Sequence, residues 1–170
     1  MIGTTAAEAL WLLIPALPIA IYVAWGDLAH MKITNKSVLV MGGAFILVGL
    51  FVFPFELYVW RLAHIAVLFA IGSAAFAGGL VGGGDAKYTA AIAPYFAASD
   101  LRLILVLFSA MLLAAFVTHR LFGRIPLVRT FTADWKSWSA GDVENGKKFP
   151  MGLALSGTLI AYLFWALASG

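Results

Sequence analysis

Cysteine is absent from the 170 residues, which excludes disulfide staples, zinc–thiolate sites, iron–sulfur clusters and thiol nucleophiles. Charge is scarce: Asp, Glu, Lys and Arg make up 11% of the chain, against about 25% in a soluble domain. The three histidines, His30, His64 and His119, are too scattered to supply a metal set, so neither a metal nor another cofactor is expected. Eleven basic residues against eight acidic ones give a formal charge of +3 and a pI near 9.3. They form no continuous patch, so nucleic acid is not an expected partner. Internal repeats and low-complexity segments are also lacking.

What fills the chain is apolar: 63% of residues are hydrophobic and the mean hydropathy is +0.98. That places it in a membrane. The length allows roughly six spans of ~20 residues with short loops, and leaves nothing for a separate soluble domain. A single transmembrane domain over residues 1–170 is expected. The first seven residues carry no Lys or Arg and the run after them shows no small-residue cleavage pattern, so it reads as a retained span, not a removable signal.

Apolar runs occur at Ala9–Trp25, with the hydrocarbon boundary near Leu28, and at Ser37–Phe53, Leu57–Val81, Ala86–Ala98, Leu103–Thr118 and Phe149–Ser169. Pro15 and Pro18 in the first run predict a kink. Placing the N-terminus outside puts Lys32, Lys36, Lys87, Arg120, Arg124, Arg129, Lys136, Lys147 and Lys148 in the cytoplasm and leaves Arg61 and Arg102 outside. Ala86–Ala98 is short, yet without its crossing the basic loop up to Lys148 would face outward, so it is expected to cross through locally thinned bilayer. The expected fold is an all-α, polytopic bundle of six transmembrane helices with both termini outside. In the long polar loop, Phe131, Trp135 and Trp138 recur at helical spacing, either as interfacial anchors or as substrate contacts.

With that topology Asp27 and Asp85 emerge at the same cytoplasmic level. An acid at membrane depth costs about 2.5–3.5 kcal/mol and so requires a partner, water or a function. Glu8, Glu56 and Asp100 belong to the outer edge, and Asp134, Asp142 and Glu144 to the polar loop. Two carboxylates sharing one proton suit an aspartic hydrolase, in which the ionised member takes a proton from water and the protonated one donates to the scissile carbonyl. Gly82, Gly83 and Gly84 precede Asp85, where backbone can approach an extended peptide or a neighbouring helix. Lys87 either holds a carboxylate ionised or marks the inner surface. After Asp27 comes a polar connector with His30, Lys32, Ile33 and Asn35, the last of which either orients a substrate amide or caps the second span.

These elements together resemble the bacterial type IV prepilin peptidase family of intramembrane aspartic proteases. The family's Asp followed by Ile-Pro-Asn is similar to Asp27 with Ile33-Thr34-Asn35. Its Gly-x-Gly-Asp-x-Lys is similar to Gly82-Gly83-Gly84-Asp85-Ala86-Lys87, and its Pro-Tyr/Phe-Gly to Pro150-Met151-Gly152. Thr34 and Met151 depart from the pattern at a usual proline and a usual aromatic. The resemblance implies Asp27 and Asp85 as catalytic residues, with Gly82, Gly83, Gly84, Lys87, Lys32, Ile33, Asn35, Pro150 and Gly152 around them. It also implies an inner-membrane enzyme that cuts a prepilin after a glycine, between a short basic cytoplasmic leader and an apolar helix. Membrane lipid and the pilus assembly machinery are the further partners implied. Longer members carry a cysteine-bearing cytoplasmic domain and N-methyltransferase activity; lacking both, this chain resembles the short Tad/Cpa type serving Flp pili. The rival readings are a proton- or ion-conducting transporter subunit, which favours acids at the midplane with repeat symmetry, and a noncatalytic scaffold.

Overall fold

The computed structural model describes residues 3–122 and 149–170, together with 125, 128, 130, 132 and 134–137. Among the described residues all regular structure is helical, with no strand. Five helices are long and apolar enough to cross a membrane, so the chain is a multi-pass membrane protein. They are α1 (Ala6–His30), α2 (Asn35–Val52), α3 (Phe55–Ala77), α5 (Leu101–Phe122) and α6 (Met151–Ser169), with a shorter α4 (Gly83–Ile92) between the third and fourth of them.

Helix α1 starts on a capping box: the Thr5 hydroxyl accepts from the Glu8 N–H at 3.3 Å and the Glu8 carboxylate accepts from the Thr5 N–H at 2.8 Å. It then runs as one helix through Pro15 and Pro18 to His30. Its buried residues include Ala9, Leu13, Ala16, Ala20, Val23 and Asp27, spaced alternately by four and three. That spacing is a single stripe along a helix, so Asp27 points into the bundle because it continues the stripe begun by Ala9. Helix α6 answers with Gly152, Leu155, Leu159, Tyr162 and Ala166, at the same alternation and also buried. The two helices pack antiparallel as the centre of the bundle. Small side chains matter here because lipid tails are as apolar as leucine, so close van der Waals contact, not escape from water, holds membrane helices together.

The segment expected to form a single span over Ala86–Ala98 is built differently. Helix α4 has 10 residues, about 15 Å of rise, and gives way to two 3-10 turns, Ala93–Tyr95 and Ala98–Asp100. Pro94 supplies the reason, since it has no N–H to continue the helix. Even so the segment travels the length of α1. It leaves beside Ile33, where a Cβ on Gly84 would lie 3.3 Å from that side chain, and arrives where the Asp100 carboxylate accepts from the Gly3 N–H at 2.9 and 3.0 Å.

Breaking a helix inside a membrane strands carbonyls that water cannot reach. Arg61 answers for two of them: Nη1 donates to the Pro94 and Tyr95 carbonyls at 3.4 and 3.3 Å, while Nη2 donates to the Gly3 carbonyl at 3.3 Å and Thr4 Oγ1 at 3.0 Å. Its guanidinium also lies over the Phe53 ring, 4.3 Å from the centroid. Arg61, assigned to the outer side from the charge distribution, lies in the second turn of α3 and is 1% exposed. Hydropathy sees a charge at a helix end; it does not see the carbonyls from another segment that draw the charge inside.

Candidate active site

Asp27 lies in the last turn of α1, where the helix C-terminus disfavours an acid, and it is 6% exposed. Helix α6 compensates. Its first turn has free N–H groups, as every helix start does, and the Gly152 N–H donates to Asp27 Oδ2 at 2.6 Å. Residue 152 must be small for this: a Cβ there would stand 2.9 Å from Asp27 Oδ2 and 3.0 Å from Ile33 Cδ1. Pro150, buried, caps the same helix start and fixes how the chain enters it.

Asp85 is the third helical residue of α4, with Gly82 at the N-cap. From that position a side chain bends back toward the N-cap, as in a capping box, and the Asp85 carboxylate lies against Gly82. A Cβ on Gly82 would fall 2.7 Å from Asp85 Oδ2. Gly83 packs under the Phe76 ring of α3 and Gly84 against Ile33, so close helix approach accounts for these two, while Gly82 is exposed.

Ile33 joins the two acids' surroundings. Buried between Gly84 and Gly152, it touches the residue before Asp85 on one side and the residue bonded to Asp27 on the other. Asp85 lies near enough for its charge to act on Asp27. The elements carrying them are further pinned by Tyr88, one turn after Asp85, whose hydroxyl pairs with Ser156 of α6 at 3.0 Å. Tyr88 and Ser156 escaped the sequence reading. Their signal was present: each lies one turn inside a recognised residue, Asp85 and Gly152, on the same helical face.

The remaining expected residues divide. Lys87 Nζ donates to Asn35 Oδ1 at 3.1 Å, which ties the second turn of α4 to the first turn of α2. Asn35 is therefore not the cap of α2. Thr34 is, accepting from the Ser37 N–H at 3.2 Å, because a residue one position earlier has the extended backbone that a cap requires. Lys32 is exposed beside Ile33. His30 ends α1 in edge contact with Trp25, while His64 and His119 sit in α3 and α5. From the long loop, the Lys136 N–H donates to the Ala29 carbonyl at 2.9 Å, anchoring that stretch to the end of α1 that carries Asp27. Trp135 is half-buried; Phe131 and Trp138 lie outside the described residues, as do Arg124, Arg129, Lys147, Lys148, Asp142 and Glu144.

Two carboxylates, one backbone donor and a pair of glycine-lined approaches can bind an extended amide, move a proton to or from a water and hold a developing oxyanion. Against known proteins, the sequence pattern of the type IV leader peptidase family matches residues 14–119, a stretch containing both Asp27 and Asp85. No curated protein and no solved structure matches the chain.

Proposed function

The chain belongs to the type IV leader peptidase family, hence is a leader-peptidase-type protease, and from that membership we propose a metal-independent aspartic endopeptidase acting at the inner face of the cytoplasmic membrane. Its substrate is a prepilin of the type IV or Flp kind, with a short basic leader ahead of an apolar helix. Six crossings with both termini outside put Asp27 and Asp85 on the cytoplasmic side, where leader meets helix. The crossing by α4 and its two turns is the one that sets this parity. Residues 1–170 act as one transmembrane domain of the short Tad/Cpa type, without N-methyltransferase activity.

In the proposed reaction one carboxylate is ionised and the other protonated. The ionised group takes a proton from water as the water oxygen attacks the scissile carbonyl carbon, and the protonated group donates to the carbonyl oxygen. Collapse of the tetrahedral intermediate breaks the C–N bond, the first group returning its proton to the leaving amine while the second takes back a hydroxyl proton as the product carboxyl forms. One observation supports the reading: two acids from distant parts of the chain stand at one end of the bundle instead of at its midplane, on elements joined through Ile33, which packs between Gly84 and Gly152.

The test is co-expression with a candidate prepilin, leader loss being read by mass. Asp27→Asn and Asp85→Asn should each abolish processing while the protein still inserts in the membrane. Processing retained by either variant would exclude the pair.

A further inference from the structure

An apolar groove of about 460 Å³ opens between α3 and α5. These two helices stand apart: α3 packs on α4 and the Ala93–Tyr95 turn, α5 on α6 and the Ala98–Asp100 turn. They are also the least covered of the long helices, with 6% of the most apolar stretch of each buried, against 50% for α6. The groove floor is therefore the broken segment itself together with α6.

Its two ends identify what it is for. At one end is Asp85; at the other are Ala98 and Leu101, beside the turn whose Asp100 bonds Gly3. The groove thus begins at the candidate active site and runs the depth of the bundle. Apart from Asp85, its polar side chains are His64, Thr89 and Thr158, and the Thr158 hydroxyl is already donated to the Ala154 carbonyl at 2.8 Å. Ala75 and Ala93 keep its surface low, as close approach of another helix requires, while Gly72 packs directly on Ala86.

We propose that this groove seats the apolar helix of the substrate, with its N-terminal end at Asp85 and its length between α3 and α5. The inference rests on the leader-peptidase reading and deepens it. Three observations choose this occupant. The groove is continuous with Asp85, so a chain cut there has its apolar part leading into it. A peptide inside the hydrocarbon must satisfy its own backbone, which leaves a helix as the form it takes. Burying apolar surface from lipid gains nothing by itself, so shape decides, and the small floor residues flanked by Leu68 of α3 and Leu105 of α5 present a trough for one helix.

The experiment uses the absence of cysteine. Ala75→Cys on the α3 wall and Leu105→Cys on the α5 wall are each expressed in membranes with a prepilin carrying one cysteine, moved stepwise along its apolar helix. Phe51→Cys on α2 and Leu113→Cys on α5 serve as controls, both exposed and outside the groove. Oxidation is expected to cross-link both groove positions to the prepilin, at substrate positions recurring every three or four residues, at least tenfold above the controls. Wild-type leader cleavage is measured alongside. Cleavage with no cross-link above the controls at either wall overturns the groove assignment and leaves a lipid-filled groove. Absence of cleavage by the wild-type chain instead overturns the leader-peptidase reading on which it rests.

Discussion

At the end of the bundle that carries Gly3, Arg61 donates to four oxygens, and Asp100 accepts from Gly3, Ser99 and Tyr162, the last at 2.7 Å. At the opposite end, among the described residues, Asp27 accepts one hydrogen bond, from Gly152, and Asp85 leans on its own helix's Gly82. Both ends place charge inside the bundle, but at the first the Asp100 oxygens and both Arg61 Nη atoms are bonded, Arg61 Nε being without a partner among the described residues, while at the second acceptor positions stay open. A saturated buried network rigidifies a fold, whereas an unsaturated one is costly unless something else completes it. The first end is a structural clasp; on the proposed reading the second is where water and a peptide bond enter. It also explains why Asp100, an acid equally buried, is not a third candidate: its oxygens are occupied by the clasp.

The comparison breaks if the two ends respond alike to substitution. The largest separation is expected for Asp27→Asn and Asp85→Asn, which should cut leader removal about 10⁴-fold or more, as losses of groups acting in concert do, with thermal unfolding in detergent nearly unchanged. Arg61→Met should do the reverse. Removing the guanidinium takes the donor from three backbone carbonyls and removes the charge facing Asp100, a loss of about 3–5 kcal/mol by analogy with broken buried pairs. Unfolding midpoint and membrane yield should fall while cleavage per folded molecule stays close to wild type.

Gly152→Ala sharpens the contrast from within the open end. The added methyl, 2.9 Å from Asp27 Oδ2, must displace the carboxylate or tilt α6. Because sub-ångström placement matters for catalysis, a fall of roughly 10- to 100-fold in cleavage rate is expected with little change in stability. The smallest effect belongs to Tyr88→Phe, which deletes the hydrogen bond to Ser156 and should cost about 1 kcal/mol of stability. A larger loss of activity than of stability in that variant would show that Tyr88 positions Asp85 as well as packing α4. Equal losses would place it with the clasp.

The sequence by itself determined where the long apolar helices lie and which acids stand at a membrane edge. It also carried the motifs around Asp27 and Asp85 that place the chain in its family. These are local properties: hydropathy over some twenty residues, helical periodicity and short spacings are written in consecutive residues. The inward aim of Asp27 was not among them, because Ala9–Trp25 is apolar on every face and only packing shows which stripe is buried. Tertiary structure decided what those residues meet. That the Gly152 N–H bonds Asp27, that Ile33 fits between two glycines, and that Thr34 and not Asn35 caps α2 are outcomes of helix packing and backbone geometry. So is the burial of Arg61, drawn in by carbonyls that exist as acceptors because Pro94 interrupts a helix far along the chain. A hydrogen bond across a bundle depends on the positions of two helices at once, and no window along one of them contains that information.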